Sequence, residues 1–318
     1  MSKNFALLGV AGFVAPRHLA AIAQTENRLI AACDPHDAVG VLDQYFLEAK
    51  FFTEYERFDR HLEKMRRRSE EERMHYLSIC SPNYLHDAHV RLALRLGADA
   101  ICEKPLVINP WNLDQLAQLE EETGSRVYSV LQLRLSPTLL ALRDRVRASS
   151  GRAQVVLTYV TRRGAWYGVS WKGDEAKSGG LPTNIGIHFF DLLLWIFGAA
   201  SSVEVHEREA DRWSGFMALE RADVRWMLST RTADLPAASR EKGAAAFRSI
   251  TIDGEELEFS SGFGELHRRI YEEVLAGRGF GIEDARPSIE LVHRIRSLAP
   301  TVASTDRAHP GSHGEATA

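Results

Sequence analysis

The chain contains only three cysteines, Cys33, Cys80 and Cys102, and no two of them form a Cys-x-x-Cys pair. Each sits at or near the end of an apolar run. An odd number of such thiols argues against a disulfide framework and fits a reducing compartment, so a cytoplasmic location is expected. Metal-ligand spacing is also lacking. His86 and His89 are three apart without a third ligand nearby, so no metal site is expected. There is no internal repeat and no leader-like start, because the apolar stretch Phe5–Val14 is interrupted by glycine and too short to span a bilayer. Neither sign of charge dominates: 39 basic against 43 acidic residues leave a net charge of −4. That balance gives no electrostatic case for nucleic acid or an anionic membrane. The densest charged stretch, Glu63–Arg73, mixes both signs and reads as a solvated helix face.

What is present is a regular alternation. The apolar share of 45% is ordinary for a globular protein, and 318 residues suit two domains. Phe5–Gly9, Leu29–Cys33, Phe51–Thr53, Tyr76–Cys80, Ala98–Cys102 and Val127–Leu131 read as strands. Arg17–Gln24, Ala38–Phe46, Phe58–Arg73, Leu85–Leu96 and Pro110–Thr123 read as helices between them, the last with Asn109 as N-cap and Pro110 at its first position. Such strand–helix units imply an α/β domain with a doubly wound parallel sheet. After Leu135 the pattern changes. Pro137–Arg147 is helical. Longer alternating runs follow at Ala153–Arg162, Val203–Arg208, Phe216–Glu220, Val224–Ser229, Ser249–Ile252 and Glu256–Ser260, with Asp253-Gly254 as a hairpin turn. Helices are expected at Ile185–Phe197, Glu265–Ala276 and Ser288–Leu298. The expectation is a first domain over 1–132 and an α+β domain with a mainly antiparallel open sheet over 133–300. The small, polar residues of 301–318 read as a disordered tail.

The chemistry sits at strand ends. Gly9-Val10-Ala11-Gly12-Phe13-Val14-Ala15 joins the first strand to the first helix, where small residues let backbone N–H groups approach a pyrophosphate. Asp34 ends the second strand, 25 residues after Gly9. An acid there accepts hydrogen bonds from a ribose diol and repels a 2′-phosphate. No Arg follows in Pro35-His36-Asp37, so NAD is favoured over NADP. Ser81-Pro82-Asn83, with His86 close behind, follows the fourth strand. It is good turn chemistry and also suits the nicotinamide ribose. Glu103-Lys104-Pro105 follows the fifth strand, which puts an amine beyond the strand ends where open α/β sheets bind ligands. Gln132 and Arg134 follow the last strand and are expected to face the same crevice.

Asn184, His188 and Asp191 recur at four and three residues on the apolar helix Ile185–Phe197, and so share one face. A core histidine is one reading. A base for alcohol oxidation, paired with Lys104, is the other. Arg162, Arg163, Lys172 and Lys177 cluster before Asn184 and suit anionic groups. Trp166, Tyr167 and Trp171 lie among them as stacking surfaces, and Ser178-Gly179-Gly180 reads as a flexible turn.

Taken together, Gly9–Ala15, Ser81-Pro82-Asn83, Glu103-Lys104-Pro105 and Gly186-Ile187-His188 resemble the Gfo/Idh/MocA oxidoreductase family, from Phe5 to about Leu298. Gly12-Phe13-Val14-Ala15-Pro16-Arg17-His18, Ser78–His86, Trp166-Tyr167, Ser170–Asp174 and Thr183–Asp191 are similar to the branch that oxidises carbon 3 of UDP-2-acetamido-2-deoxy-D-glucuronate. In that branch the 3-keto product is aminated towards the diamino-uronic acids of bacterial surface polysaccharide, such as O-antigen.

The resemblance implies a Rossmann domain, an open sheet behind it, and a homotetramer built on sheet faces. It also implies NAD held by Gly9, Ala11, Gly12, Phe13, Val14 and Asp34. Further cofactor contacts would come from Ser81, Pro82, Asn83, His86, Glu103 and Lys104, and from Gln132, Trp171 and Lys172. The sugar would be held by Lys104, Gln132, Arg163 and Tyr167, with Lys172, Lys177, Asn184 and His188. Two departures stand out: Ala11 replaces the middle fingerprint glycine, and Asn184 replaces an acid common in the broad family. An amide exchanges no proton as a carboxylate does, which leaves Lys104 and His188 for proton work, either one being the base and the other orienting the hydroxyl. Some relatives return the hydride to an oxo acid, commonly 2-oxoglutarate, and others take NAD afresh. A glycosidase working through a 3-keto sugar, a non-catalytic NAD sensor and a dehydrogenase of an inositol or simple hexose are the competing readings.

Overall fold

A computed structural model describes residues 2–257 and 265–311. In chain order the elements are β1 (Asn4–Leu8), α1 (Ala15–Gln24), β2 (Arg28–Cys33), β3 (Lys50–Phe52), α2 (Tyr55–Arg68), β4 (Tyr76–Ile79), α3 (His86–Arg95), β5 (Asp99–Cys102), α4 (Trp111–Thr123) and β6 (Val127–Ser129). Then come α5 (Pro137–Ala148), β7 (Ala153–Thr161), α6 (Trp166–Val169), α7 (Glu175–Ser178), α8 (Ile187–Phe197), β8 (Ala200–Arg208), β9 (Arg212–Leu219) and β10 (Ala222–Ser229). The last are α9 (Ala237–Glu241), β11 (Ala246–Ile252), β12 (Glu255–Glu256), α10 (Leu266–Leu275) and α11 (Ile282–Ser297). The helix expected at Ala38–Phe46 is only a short 3₁₀ turn, Gly40–Gln44, with one buried residue, Leu42. Four residues of the strand expected at Glu256–Ser260 are Leu257 and three that lie outside the described residues.

The chain divides into two compact units, Met1–Ser136 with Gly262–Arg286, and Pro137–Ser261 with Pro287–Ala318. The first differs from the contiguous 1–132 expected from sequence. Its added segment carries α10, whose Ile270, Tyr271 and Val274 belong to the same buried cluster as Phe5, Leu7, Ile22 and Ile101. Amphipathic α10 buries its apolar face there, and that burial outweighs position in the chain. Arg134, expected to face a crevice, instead ties this unit together. It donates to the Asp284 backbone carbonyl at 2.8 Å and to the Asp284 carboxylate at 3.2 Å.

The first unit holds a six-stranded sheet in the order β3-β2-β1-β4-β5-β6, parallel throughout. Strand order reverses between β1 and β4. In a doubly wound sheet that is the switch point, where a crevice opens at the carboxyl ends. Gly9 follows β1 and Ser81 follows β4, so both turns border it.

The second unit holds a six-stranded sheet in the order β12-β11-β7-β10-β9-β8. β7 and β10 pair parallel, and the remaining pairs are antiparallel. The Asp253-Gly254 hairpin is present, with φ of 52° and 86° at its two central residues and Ile252 paired with Glu255. Helix α8 buries Phe189, Phe190 and Phe197, and Phe190 meets Trp226 edge to face at 5.4 Å. By length and hydropathy the stretch Glu175–Phe197 could cross a membrane, but 72% of its apolar 18-residue window is buried inside the protein, as in a core helix.

Residues 301–311 do not match the expected disordered tail. Thr301 donates its backbone N–H to Val205 O at 2.8 Å, Arg307 pairs with Glu204, and Arg212 donates to Gly311 O at 2.6 Å. His309 is 3% exposed, bonds the Thr158 hydroxyl at 3.0 Å, and is pushed down to about 4 chiefly by burial. The segment 301–311 is therefore anchored across β7, β8 and β9 by polar contacts that composition does not reveal. Residues 312–318 lie outside the described residues.

Candidate active site

The turn after β1 is built around Gly9. Its φ is +85°, and a Cβ placed on it would lie 2.6 Å from the Cys80 carbonyl carbon and oxygen. Only glycine allows the first turn to pass that close to the end of β4. The turn is closed by Gly12 N–H to Gly9 O at 3.0 Å and by Ala15 N–H to Gly12 O at 3.2 Å. Helix α1 then begins with no side-chain cap and with Pro at its first turn. Of its leading residues, Ala15 and Arg17 give their N–H groups to Gly12 O and Val14 O, the latter at 3.0 Å, and Pro16 has none, so any anion at this helix start would be met by the N–H groups of the turn before it. Phe13 stands 92% exposed beside this turn, with the Arg17 guanidinium 5.8 Å from its ring. Val14 is half-buried against the core.

Asp34 is brought to this turn. Its carboxylate accepts from Ala11 N–H at 3.0 Å and His36 N–H at 2.9 Å. Sequence alone suggests a ribose partner. The structure adds that Asp34 also fixes the orientation of Ala11, the departure from the fingerprint. Each carboxylate oxygen keeps a second acceptor site for a diol.

Ser81, Pro82 and Asn83 form the turn after β4. The Ser81 hydroxyl bonds His89 Nδ1 at 2.8 Å. Burial lowers His89 to about 4, so it stays neutral. His86 places one ring nitrogen 2.7 Å from Pro105 O and the other 2.8 Å from Ser81 O. A neutral ring can donate to only one of those carbonyls. His86 therefore ties the Ser81 turn to the turn that carries Lys104 and Pro105.

Lys104 is half-buried at the carboxyl end of β5, and its peptide bond to Pro105 is cis. Its neighbour Glu103, also expected to touch the cofactor, turns inward and is 7% exposed. The Glu103 carboxylate lies 3.0 Å from His18 Nε2 and 3.4 Å from His267 Nε2. Burial opposes its charge, but these two histidines outweigh burial and hold the carboxyl well below its usual range. An ionised carboxylate only accepts, so His18 donates through Nε2. Burial also lowers His18, so its Nδ1 is unprotonated and accepts from Tyr271 Oη at 2.8 Å. Tyr271 in turn accepts from the Ser78 hydroxyl at 2.6 Å. The group His18–Glu103–His267 is close enough to hold a cation, and the directed chain of hydrogen bonds accounts for the contact between Glu103 and His18. Sequence reading missed the network. Its one local sign is a histidine, His18, on the apolar face Ala15–Leu19–Ile22 of α1.

In the second unit, Asn184 lies in a π-helical turn, Pro182–Gly186, that leads into α8. The wider turn breaks the i, i+4 spacing, so the single shared face expected for Asn184 and His188 is not a regular helical face. Asn184 donates to Tyr167 Oη at 2.7 Å. The phenol keeps its own proton for another acceptor, and burial raises its pKa. The Arg163 guanidinium lies 6.0 Å from the Tyr167 ring. Lys172 Nζ sits 4.3 Å from the Trp171 ring and 5.6 Å from that of Trp166. Burial, then Arg163, lowers the Lys172 ammonium below its usual range, so an anion beside it would be welcome. Lys177 is paired with Asp174 at 3.6 Å. His188 is half-buried, edge-on to Tyr159 at 5.7 Å and beside Phe189 at 4.2 Å. Gln132 is half-buried in the 3₁₀ turn after β6.

A doubly wound sheet, a glycine turn opening an uncapped helix and an acid after the second strand define a dinucleotide-dependent oxidoreductase. The chain belongs to the Gfo/Idh/MocA family. The model of that oxidoreductase family's NAD-binding Rossmann fold matches residues 3–131, and that of its C-terminal alpha/beta domain matches residues 153–223. Two structures of the WlbA (WbpB) dehydrogenase from Thermus thermophilus are 52% identical, with a TM-score of 0.93 over 97% of this chain and 99% of theirs. One is a complex with NAD and alpha-ketoglutarate, the other with NAD and UDP-GlcNAcA. A WlbA dehydrogenase from Bordetella pertussis, in complex with NADH and UDP-GlcNAcA, shares the fold at 20% identity and a TM-score of 0.74, over 92% of this chain and 94% of its own. The D-glucoside 3-dehydrogenase of Escherichia coli is 29% identical over 135 residues, 41% of this chain and 38% of that protein's length.

Proposed function

We propose that the protein oxidises carbon 3 of UDP-2-acetamido-2-deoxy-D-glucuronate to the 3-keto sugar, with NAD as cofactor. The observation that carries this reading is the 52% identity, over 97% of the chain, to a dehydrogenase whose structures hold NAD with UDP-GlcNAcA and NAD with alpha-ketoglutarate. The residues fit the cofactor: a close-passing Gly9, an uncapped α1 and an Asp34 carboxylate with acceptor capacity to spare. When bound, NAD supplies a hydride acceptor.

Lys104 and His188 handle the proton of the 3-hydroxyl, one removing it and the other holding the oxygen in line. Asn184 and Tyr167, already bonded to each other, orient the sugar. Arg163, Lys172 and Lys177 meet the diphosphate and carboxylate by charge, and Trp171 offers a stacking face. An oxo acid such as 2-oxoglutarate is the proposed hydride acceptor that restores NAD. We place the enzyme in the cytoplasm, a reading supported by three buried free cysteines, and infer a homotetramer from the family resemblance. A second reading, 3-dehydrogenation of a simple glucoside, is favoured only by the partial match to the D-glucoside enzyme.

Purified protein incubated with NAD, UDP-GlcNAcA and 2-oxoglutarate is expected to give a nucleotide sugar two mass units lighter, together with 2-hydroxyglutarate. A methyl glucoside offered in its place should react at least about a hundredfold more slowly, because a site built for anions leaves its cations unpaired without them. Absence of the lighter nucleotide sugar, with or without the oxo acid, would refute the proposal.

A further inference from the structure

Lys104 lies between two buried anchors. On one side the Glu103 carboxylate is held by His18 and His267. It also accepts the Lys104 backbone N–H, at 3.3 Å. On the other side the Pro105 carbonyl is held by His86. His18 belongs to α1, the helix whose start forms the dinucleotide turn, while His267 and Tyr271 belong to α10. The Ser78 end of the chain of bonds lies in β4. Three segments of the Rossmann unit that sequence reading treats separately therefore converge on one carboxylate next to the proposed proton-handling lysine. A buried charge of this kind is costly unless fully partnered. Removing its charge should loosen its neighbours more than a change of shape alone would.

We propose that Glu103 is a positioning residue: the buried carboxylate, clamped by His18 and His267, fixes the turn that carries Lys104 relative to the cofactor-binding helix. This rests on the function proposed above. Glu103 touches neither the sugar nor the transferred hydride, and it acts by holding the Lys104 backbone so that the amine meets the hydroxyl in a reactive geometry. Positional control of this kind appears in the rate of the chemical step, since small misplacements of a reacting group are costly. Binding of NAD through Gly9, α1 and Asp34 does not depend on it.

The test is Glu103→Gln, which keeps size and shape while removing the charge. The expected result is a loss of about tenfold to a hundredfold in kcat. NAD affinity and the KM for the nucleotide sugar should stay within about threefold of wild type. The deuterium isotope effect with sugar labelled at carbon 3 should rise, because the chemical step becomes fully rate-limiting. His18→Gln, whose amide can still donate to Glu103, should retain more activity than His18→Ala. Leu29→Ala, which opens a cavity in the same core, is the control for general destabilisation and should leave kcat and the isotope effect near wild type. If Glu103→Gln does not fold, His267→Ala, which removes one donor to the carboxylate, carries the same kinetic test. Unchanged kcat and isotope effect in the folded variant would overturn the role, as would an equal loss in Leu29→Ala. Stoichiometric bound zinc that disappears in Glu103→Gln would also overturn it, since the cluster would then be a metal site. No product from wild-type protein would overturn the function proposed above and this role with it, whereas product from wild type and an indifferent Glu103→Gln would overturn this role alone.

Discussion

Lys104→Met and His188→Asn are each expected to bind NAD with near wild-type affinity and to oxidise the nucleotide sugar at least about a thousandfold more slowly. General acid–base assistance by one positioned group is worth roughly a hundredfold to ten-thousandfold. Each side chain is proposed to lose a second function as well, the orientation of the hydroxyl. Methionine preserves the length and apolar stem of Lys104 without its ammonium. Asparagine keeps a polar group near the start of α8, where His188 rests against Tyr159 and Phe189. Neither change disturbs the Gly9 turn or Asp34, so NAD binding measured by titration serves as the fold control. The double variant should fall little below the worse single variant, because two groups acting on one proton transfer are not additive. Single-turnover oxidation near the wild-type rate in either variant would remove that residue from the proposed chemistry.

Gly9→Ala carries the second large effect, on binding rather than on chemistry. Its φ of +85° is a region that side chains avoid, and the added Cβ would meet the Cys80 carbonyl at 2.6 Å. The contact is backbone, so no side-chain rotation relieves it. Strain of this kind costs about 1–3 kcal/mol, and overpacking adds a similar amount. The β1–α1 turn must then move away from the end of β4, taking the α1 N-terminus and the Ala11 N–H with it. NAD affinity is expected to fall by about a hundredfold or more, and thermal unfolding to come several degrees earlier. Calorimetric titration with NAD and a melting curve check both. Near-normal NAD affinity would show that this turn does not carry the pyrophosphate.

Much of this site is legible in the sequence because its constraints are local. Gly9, Asp34, Ser81 and Lys104 each follow a strand, and strand ends are marked by short apolar runs broken by turn residues. The alternation of patterns likewise points to a parallel sheet followed by a mainly antiparallel one. What sequence leaves hidden is long-range or irregular. His18 and Glu103 are 85 residues apart, and His18 and Tyr271 are 253 apart. No spacing rule predicts that they meet. The return of α10 to the first unit is hidden for the same reason: its apolar face states that it packs, but not where. The π-helical turn at Pro182–Gly186 disturbs the one periodicity used to group Asn184 with His188. The anchored segment 301–311 is held by single polar contacts to strands far away in the chain, and small polar residues carry no pattern that foretells them.

In the proposed reaction hydride leaves carbon 3 of the nucleotide sugar. The decisive experiment incubates UDP-GlcNAcA deuterated at that carbon alone with the purified enzyme and NAD. The expected products are NADH carrying one deuterium at nicotinamide carbon 4 and a 3-keto nucleotide sugar that has lost the label. Unlabelled NADH, or recovery of the label in the sugar product, would contradict the proposed reaction.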